Sequence, residues 1–179
     1  MEHFKNFVVL DTETAGLEKT DQVIELGIVS EKGEVLYHSF FKPDVPIHPK
    51  AQEVHGIPEA SLEEAPKFIT EWHRIAKILV GKNIVGHNII DFDMRLISQT
   101  LCMQDGGDAI CQDLVKKCYD TYRIAKFLGY QKKSQQALMQ RFGISKCERH
   151  RAIDDAIDLL HILPFIDAAM VASNYNYHS

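Results

Sequence analysis

Asp11 and Glu13 stand two positions apart at the polar end of the apolar run FVVLDTETAGL, residues 7–17. Side chains alternate across a strand, so the two carboxylates share one face while Leu10 and Thr12 share the other. Anions held that close raise each other's pKa unless a cation compensates. The spacing leaves two readings open: a divalent-metal site, or a strand end whose acids face water or a lysine.

Helical periodicity brings in further acids. Toward the C-terminus, Asp154, Asp158 and His161 recur at i, i+4 and i+7 and are expected on one solvated face. Asp155 instead lines up with Leu159, Ile162 and Ile166 at the edge of the apolar arc. A carboxylate in such a stripe calls for a partner or a metal, because burying it unpaired is costly. In VGHNIIDFDMRLI, residues 85–97, Asp91 shares its stripe with Arg95 and Ser98 and reads as a helix-start acid with a salt-bridge neighbour. Asp93 points along Leu96 and Ile97 and is the stronger site candidate, with Asp91 in reserve. Asn88 either turns the chain ahead of this helix or serves the site.

Four acids from separate segments, with no paired cysteines or histidines, suit Mg²⁺ or Mn²⁺ rather than zinc. Two such ions about 3.5–4 Å apart activate water and stabilise the leaving oxygen of a phosphodiester. His150 lies between Arg149 and Arg151, five residues before Asp155. An imidazole titrates near neutrality, which suits the base that takes the proton from that water.

These residues need a scaffold. Strands are expected over 7–13, 22–30 and 35–42, the last two joined by the polar turn 31–34. Pro46, Pro49, Pro58 and Pro66 then punctuate a loop-rich passage with at most short helices. Trp72, Ile75, Ala76 and Leu79 place a helix over 68–80, followed by a short strand at 83–86 and a helix over 92–103. After a turn at Asp105 to Asp108 come a helix, a short strand near 118–121, and helical segments at 122–128, 134–142 and 151–170, the last interrupted by Pro164. Antiparallel strands followed by alternating helix and strand describe an α/β domain with a mixed sheet.

A chain of 179 residues, 45% hydrophobic, fits one domain with a sizeable core. We expect that domain over 1–172 and a polar, frayed tail over 173–179. No signal-peptide pattern and no apolar run of membrane length occurs, so a cytoplasmic location and no membrane partner are expected. Cys102, Cys111, Cys118 and Cys147 form no C-x-x-C pair and read as reduced, packed thiols. The net charge of −5 argues weakly against a nucleic-acid partner, but its distribution does not. Lys132, Lys133, Arg141, Lys146, Arg149 and Arg151 face the single acid Glu148 across residues 131–151. Such a run is either a solvated face or a guide for phosphates.

The same residues carry a family resemblance over nearly the whole chain, from Val8 to about Leu160. DTETAGL, NIIDFD and HRAIDD, in that order, resemble the three motifs of the DEDDh 3′–5′ exonucleases, typified by the proofreading subunit of bacterial replicative DNA polymerase. The resemblance implies a ribonuclease H-like fold, a mixed five-stranded sheet flanked by helices. It implies release of nucleoside 5′-monophosphates from a 3′ end with two Mg²⁺, Mn²⁺ substituting. Asp11 would bridge both ions, Glu13 and Asp155 would complete the water-activating site, Asp93 would support the second ion, and His150 would be the general base. PIHPKAQEVHGI, residues 46–57, resembles the family segment beside the 3′-terminal nucleotide, and YDTYRIAKFL a family strand and helix. By resemblance the backbone from Thr12 to Gly16, the side chain of Leu17, and His55, Ile57 and Asn88 would contact substrate. Independently, Val54, His55 and Ile57 beside Gly56 either offer apolar and aromatic surface to a base or pack inward as a plain loop. Ala15 stands where the family usually has threonine, and one extra residue separates Asn88 from Phe92. Partners expected are a nucleic-acid 3′ end, DNA favoured over RNA, with a polymerase or a second copy of the chain left open. A catalytically idle module that binds 3′ ends or docks on a polymerase is the competing function.

Overall fold

The computed structural model describes residues 1–103, 109–145 and 151–175. The expected turn at 105–108, Lys146, Cys147, Arg149 and His150 lie outside the described residues, as does the side chain of Cys111.

Strand β1 (Phe7–Thr14) is central because both of its faces are apolar. Val8 and Leu10 enter one core cluster, Phe7 and Val9 the other. It pairs antiparallel with β2 (Val23–Ser30) and parallel with β4 (Asn83–Gly86). β3 (Val35–Phe40) and β5 (Cys118–Asp120) complete a mixed sheet in the order β3-β2-β1-β4-β5, the five-stranded architecture expected. The β2–β3 turn closes through Ser30 N–H to Glu34 O at 2.8 Å, with Gly33 at φ +82° where a side chain would be strained.

The proline-rich passage forms α1 (Pro49–His55) and a 3₁₀ turn at Glu59–Leu62. α2 (Phe68–Leu79) and α3 (Asp93–Met103) cover the Leu10 face with Phe68, Trp72, Ile75, Met94 and Ile97. α4 (Ala109–Val115) follows, and then α5 (Thr121–Phe127), α6 (Gln135–Phe142) and α7 (Ala152–Ala172). The last three supply the cluster on the Val9 face. Among the described residues no helix is long and apolar enough to cross a membrane.

α7 departs from expectation twice. It runs through Pro164 without a break. Proline removes one N–H and crowds the preceding turn, but Pro164 faces solvent while Ile162, Leu163 and Ile166 around it are buried, and that packing holds the helix together. Asp158, expected to be solvated, is only 5% exposed, because α7 packs against β1 and β2 and also against α5 and α6. His161 is exposed as expected, and Asp154 is half-buried. Farther along, the Asp167 carboxylate accepts the backbone N–H groups of Glu2 and His3 at 2.7 and 2.8 Å, tying the N-terminus to this helix.

At the end of the described residues the Tyr175 ring lies 4.1 Å from that of Phe127, and its N–H reaches Met170 O. Cys118 is buried, whereas Cys102 is exposed rather than packed.

Candidate active site

β1 delivers Asp11 and Glu13 to one face of the sheet, and α7 brings Asp155 to meet them. One carboxylate oxygen from each lies within 4.8 Å of the others. Asp93 reaches the same place from the opposite face. It opens α3, is 1% exposed, and accepts a 2.6 Å hydrogen bond from Thr12 Oγ1. The alternation of β1 thus has two uses: odd residues present acids, and Thr12 between them anchors the acid from the other layer. Asp11, Asp93 and Asp155 line one cavity of about 310 Å³ with His87, Phe92 and Gln135.

The electrostatics follow from crowding. Burial, then Asp93, Glu13 and Asp155, push the Asp11 carboxyl well above the ordinary carboxylate range. Burial, then Asp155, Glu25 and Asp93, raise Glu13 to about 8, against a small lowering by Arg151. Burial lifts Asp93 to about 7 although the Thr12 hydroxyl pulls it down. Among the described residues, the largest electrostatic influences on these carboxyls are other acids. An all-oxygen donor set of that kind fits hard divalent cations such as Mg²⁺ or Mn²⁺.

A second cavity of about 440 Å³ adjoins the first, Phe92 lining both. Its walls include Glu13, Gly16, Leu17, Val54 and His55. Leu17 and Val54 are 71% and 59% exposed, so this wall is apolar and open. His55 is buried and its Nδ1 accepts the Ile57 N–H at 3.0 Å, which places the ring proton on Nε2. That Nε2 is buried, with the Thr14 backbone beside the ring. Burial lowers the pKa of the ring, which favours the neutral form.

Other residues singled out from sequence have different placements. Ile57 is not part of an open surface: it is 3% exposed and packs with Ala15, Ile24, Ile47 and Leu62, because α1 ends at Gly56 and the chain turns inward. Ala15 is fully buried in that cluster, where a threonine hydroxyl would need a partner. The Gly16 carbonyl accepts from Thr14 Oγ1 at 2.8 Å. Asn88 forms the turn: it sits at φ +60°, donates its N–H to Asp120 Oδ1 and accepts the Phe92 N–H. Asp91 lies away from the acids, its exposed carboxylate paired with Arg123 at 3.0 Å rather than with Arg95, whose Nε donates to the Asp91 carbonyl. His150 lies outside the described residues. Arg151 is not a free phosphate guide either, since its guanidinium is bound to Glu25 and lies over Phe40. Of the other described members of the basic run, Lys132 and Arg141 are exposed, Arg141 stacking on Tyr130.

Three residues escaped sequence reading. His87 lines the acid cavity, its Nδ1 3.0 Å from Thr121 Oγ1 and its pKa lowered to about 4 by burial, so it stays neutral. Asp120 caps α5 through the Tyr122 and Arg123 N–H groups and holds the Asn88 turn with the same carboxylate. The signal was present, because Asp-Thr-Tyr after an apolar strand is an N-cap pattern. Glu25 is fully buried in β2, and a glutamate inside VIELGI was the clue.

Comparison with known proteins extends this picture. Residues 8–163 match the exonuclease family of the RNase T type. The chain is 31% identical over 160 residues to DNA polymerase III subunit epsilon of Treponema pallidum, covering 84% of this chain and 71% of that protein. It is 32% identical over 155 residues to the PolC-type DNA polymerase III of Thermotoga maritima, again with 84% of this chain but only 11% of the relative. The chain therefore spans about a tenth of that longer polymerase. Among solved structures, exonuclease X in complex with 5′ overhanging duplex DNA superposes with a TM-score of 0.66 at 24% identity, covering 95% of this chain and 94% of that one. The fold is the ribonuclease H-like α/β fold of such exonucleases. With the acids gathered at the end of β1 and a family match running from that strand into α7, the chain belongs to the exonuclease family.

Proposed function

We propose that this chain is a divalent-metal-dependent 3′–5′ exonuclease that releases nucleoside 5′-monophosphates, acting on DNA in preference to RNA. The observation that carries the proposal is the convergence of Asp11, Glu13 and Asp155, with Asp93 lining the same cavity, beside an open apolar cavity. The four acids would hold two Mg²⁺ ions, with Mn²⁺ able to substitute. Bound there, the ions supply a water of lowered pKa and neutralise charge on the leaving oxygen.

The chain's own groups do the rest. Leu17, Val54 and Phe92 offer apolar surface to the 3′-terminal base, and the His55 ring contributes to the same cavity wall. His150, five residues before Asp155, takes the proton from the attacking water. His87 does not compete for that role, because its ring is held between Thr121 and neighbouring backbone. The preference for DNA and a polymerase partner draw on the relatives named as DNA polymerase III subunits.

The test is degradation of matched 3′-labelled DNA and RNA oligonucleotides, single-stranded and recessed, with Mg²⁺ and with Mn²⁺. Mononucleotide release is expected from the parent and not from Asp11→Ala or Asp155→Asn. Release at undiminished rate by either variant would refute the assigned site.

A further inference from the structure

Glu25 contributes no wall to either cavity, yet its surroundings are more elaborate than packing requires. Its carboxylate lies on β2 directly opposite Glu13 in the strand register. It takes Arg151 Nε at 3.0 Å and Nη2 at 3.2 Å, contacts His38 Nε2 at 2.7 Å, and accepts the Ala152 N–H at 3.4 Å. Arg151 is in turn stacked over Phe40, with 4.7 Å from its guanidinium carbon to the ring centroid. Strands β2 and β3 thus grip one arginine from two sides.

That arginine is the N-cap of α7, and its carbonyl accepts the Asp155 N–H at 2.9 Å. The grip therefore acts one helical turn from the carboxylate that meets Asp11 and Glu13. A second contact fixes the same turn: a Cβ on Gly27 would lie 2.7 Å from Ile153 Cα, so the start of α7 rests on β2 backbone to backbone. Gly27 itself pairs with Asp11 across the sheet. Oxygen ligands must converge within a few tenths of an ångström for a small divalent ion. A short lever anchored at Arg151 meets that tolerance, whereas a free helix end would not.

We propose that Glu25 and Arg151 are positioning residues of the acid site, a largely buried ion pair that sets the first turn of α7 on β2 and so delivers Asp155 to Asp11 and Glu13. This role rests on the metal-site reading of the acid cluster given above. Two accounts of the pair make different forecasts. If its charges mattered only through their field, losing the Arg151 cation would strengthen cation binding, and neutralising Glu25 would weaken it. If the pair positions Asp155, both changes weaken it.

The experiment is calorimetric titration of Mn²⁺ into the full chain without nucleic acid, for the parent, Glu25→Gln, Arg151→Met and Arg151→Lys. Each is checked for a native circular-dichroism spectrum at the temperature used. A rise in Kd of about 10-fold or more is expected for both Glu25→Gln and Arg151→Met, as for other residues that orient metal ligands. Arg151→Lys, which keeps the charge but loses the two-pronged contact, is expected to fall between parent and Arg151→Met. Should either single variant fail to fold, the double variant Glu25→Met/Arg151→Met replaces the pair with apolar side chains of similar length. It is expected to fold and still to bind Mn²⁺ about 10-fold more weakly. Unchanged affinity in the folded variants, or tighter binding by Arg151→Met, overturns the positioning role while leaving the acid cluster standing. A parent that takes up no Mn²⁺ overturns the cluster assignment and the positioning role with it.

Discussion

Glu13 and Glu25 face each other across neighbouring strands, one residue type in one register, and the protein treats them in opposite ways. Glu25 is held by the Arg151 guanidinium and the Ala152 N–H at the start of α7 and by a contact from His38 of β3. Glu13 is surrounded by other acids, and its pKa is raised to about 8. A buried carboxylate neutralised from within holds a structure together. One left largely among its own kind stores repulsion that a proton or a bound cation relieves. The boundary between scaffold and site therefore runs between two adjacent strands.

That contrast can be broken most severely at Asp11. Asp11→Asn or Asp155→Asn is expected to lower nuclease turnover by at least roughly 10²–10³-fold, the scale for losing one essential electrostatic group. The same Asp11→Asn change should raise the melting temperature of the metal-free protein by removing repulsion, which a thermal scan in EDTA measures. Glu25→Ala should move stability the other way, by on the order of 3 kcal/mol, because Arg151 would be left largely buried without its carboxylate. Matching signs for the two changes in chemical denaturation would erase the distinction.

pH sharpens the comparison. Glu13 has its pKa raised in the folded state from 4.5 to about 8, so the folded chain holds a proton there that the unfolded chain has lost. Metal-free stability is then expected to fall as pH rises from about 4.5 to about 8, and Mn²⁺ affinity to rise through the same interval as the ion displaces protons. Melting curves at several pH values, with and without Mn²⁺, check both slopes. Smaller effects lie at the cavity wall. Leu17→Ala should cost about 1 kcal/mol of substrate binding, roughly a five-fold rise in KM, with little change in kcat. The smallest belongs to Asp91: its exposed pair with Arg123 is expected to contribute under about 0.5 kcal/mol, so Asp91→Asn should leave melting and turnover unchanged.

Much of this layout was legible in the sequence because it depends on local periodicity. Two-residue alternation placed Asp11 and Glu13 on one face, and the helical stripe separated Asp155 from Asp154 and Asp93 from Asp91. The sheet followed from apolar runs and turn residues. What escaped depends on contacts between distant segments. Nothing near Arg151 announces a partner 126 positions earlier, so it read as one of a basic run. Asp158 looked solvated because a wheel shows one buried face, whereas α7 is packed on more than one side. The sequence left Ile57 open between surface and inward packing, because the small core that the proline-rich passage builds draws on Ala15 and Ile24 from distant segments.

Pro164 divides α7 into halves with different duties. Ahead of it lies the turn that carries Asp155; beyond it lies Asp167, which fastens the first residues of the chain. Proline has no N–H to give, so the Leu160 carbonyl lacks its rung and the ladder is one bond weaker where the two halves meet. Opening of the far half, with release of the N-terminus, can then proceed without unwinding the near one. Amide exchange along α7 should show two levels of protection that meet at this gap, the slower one belonging to the half that carries the acid.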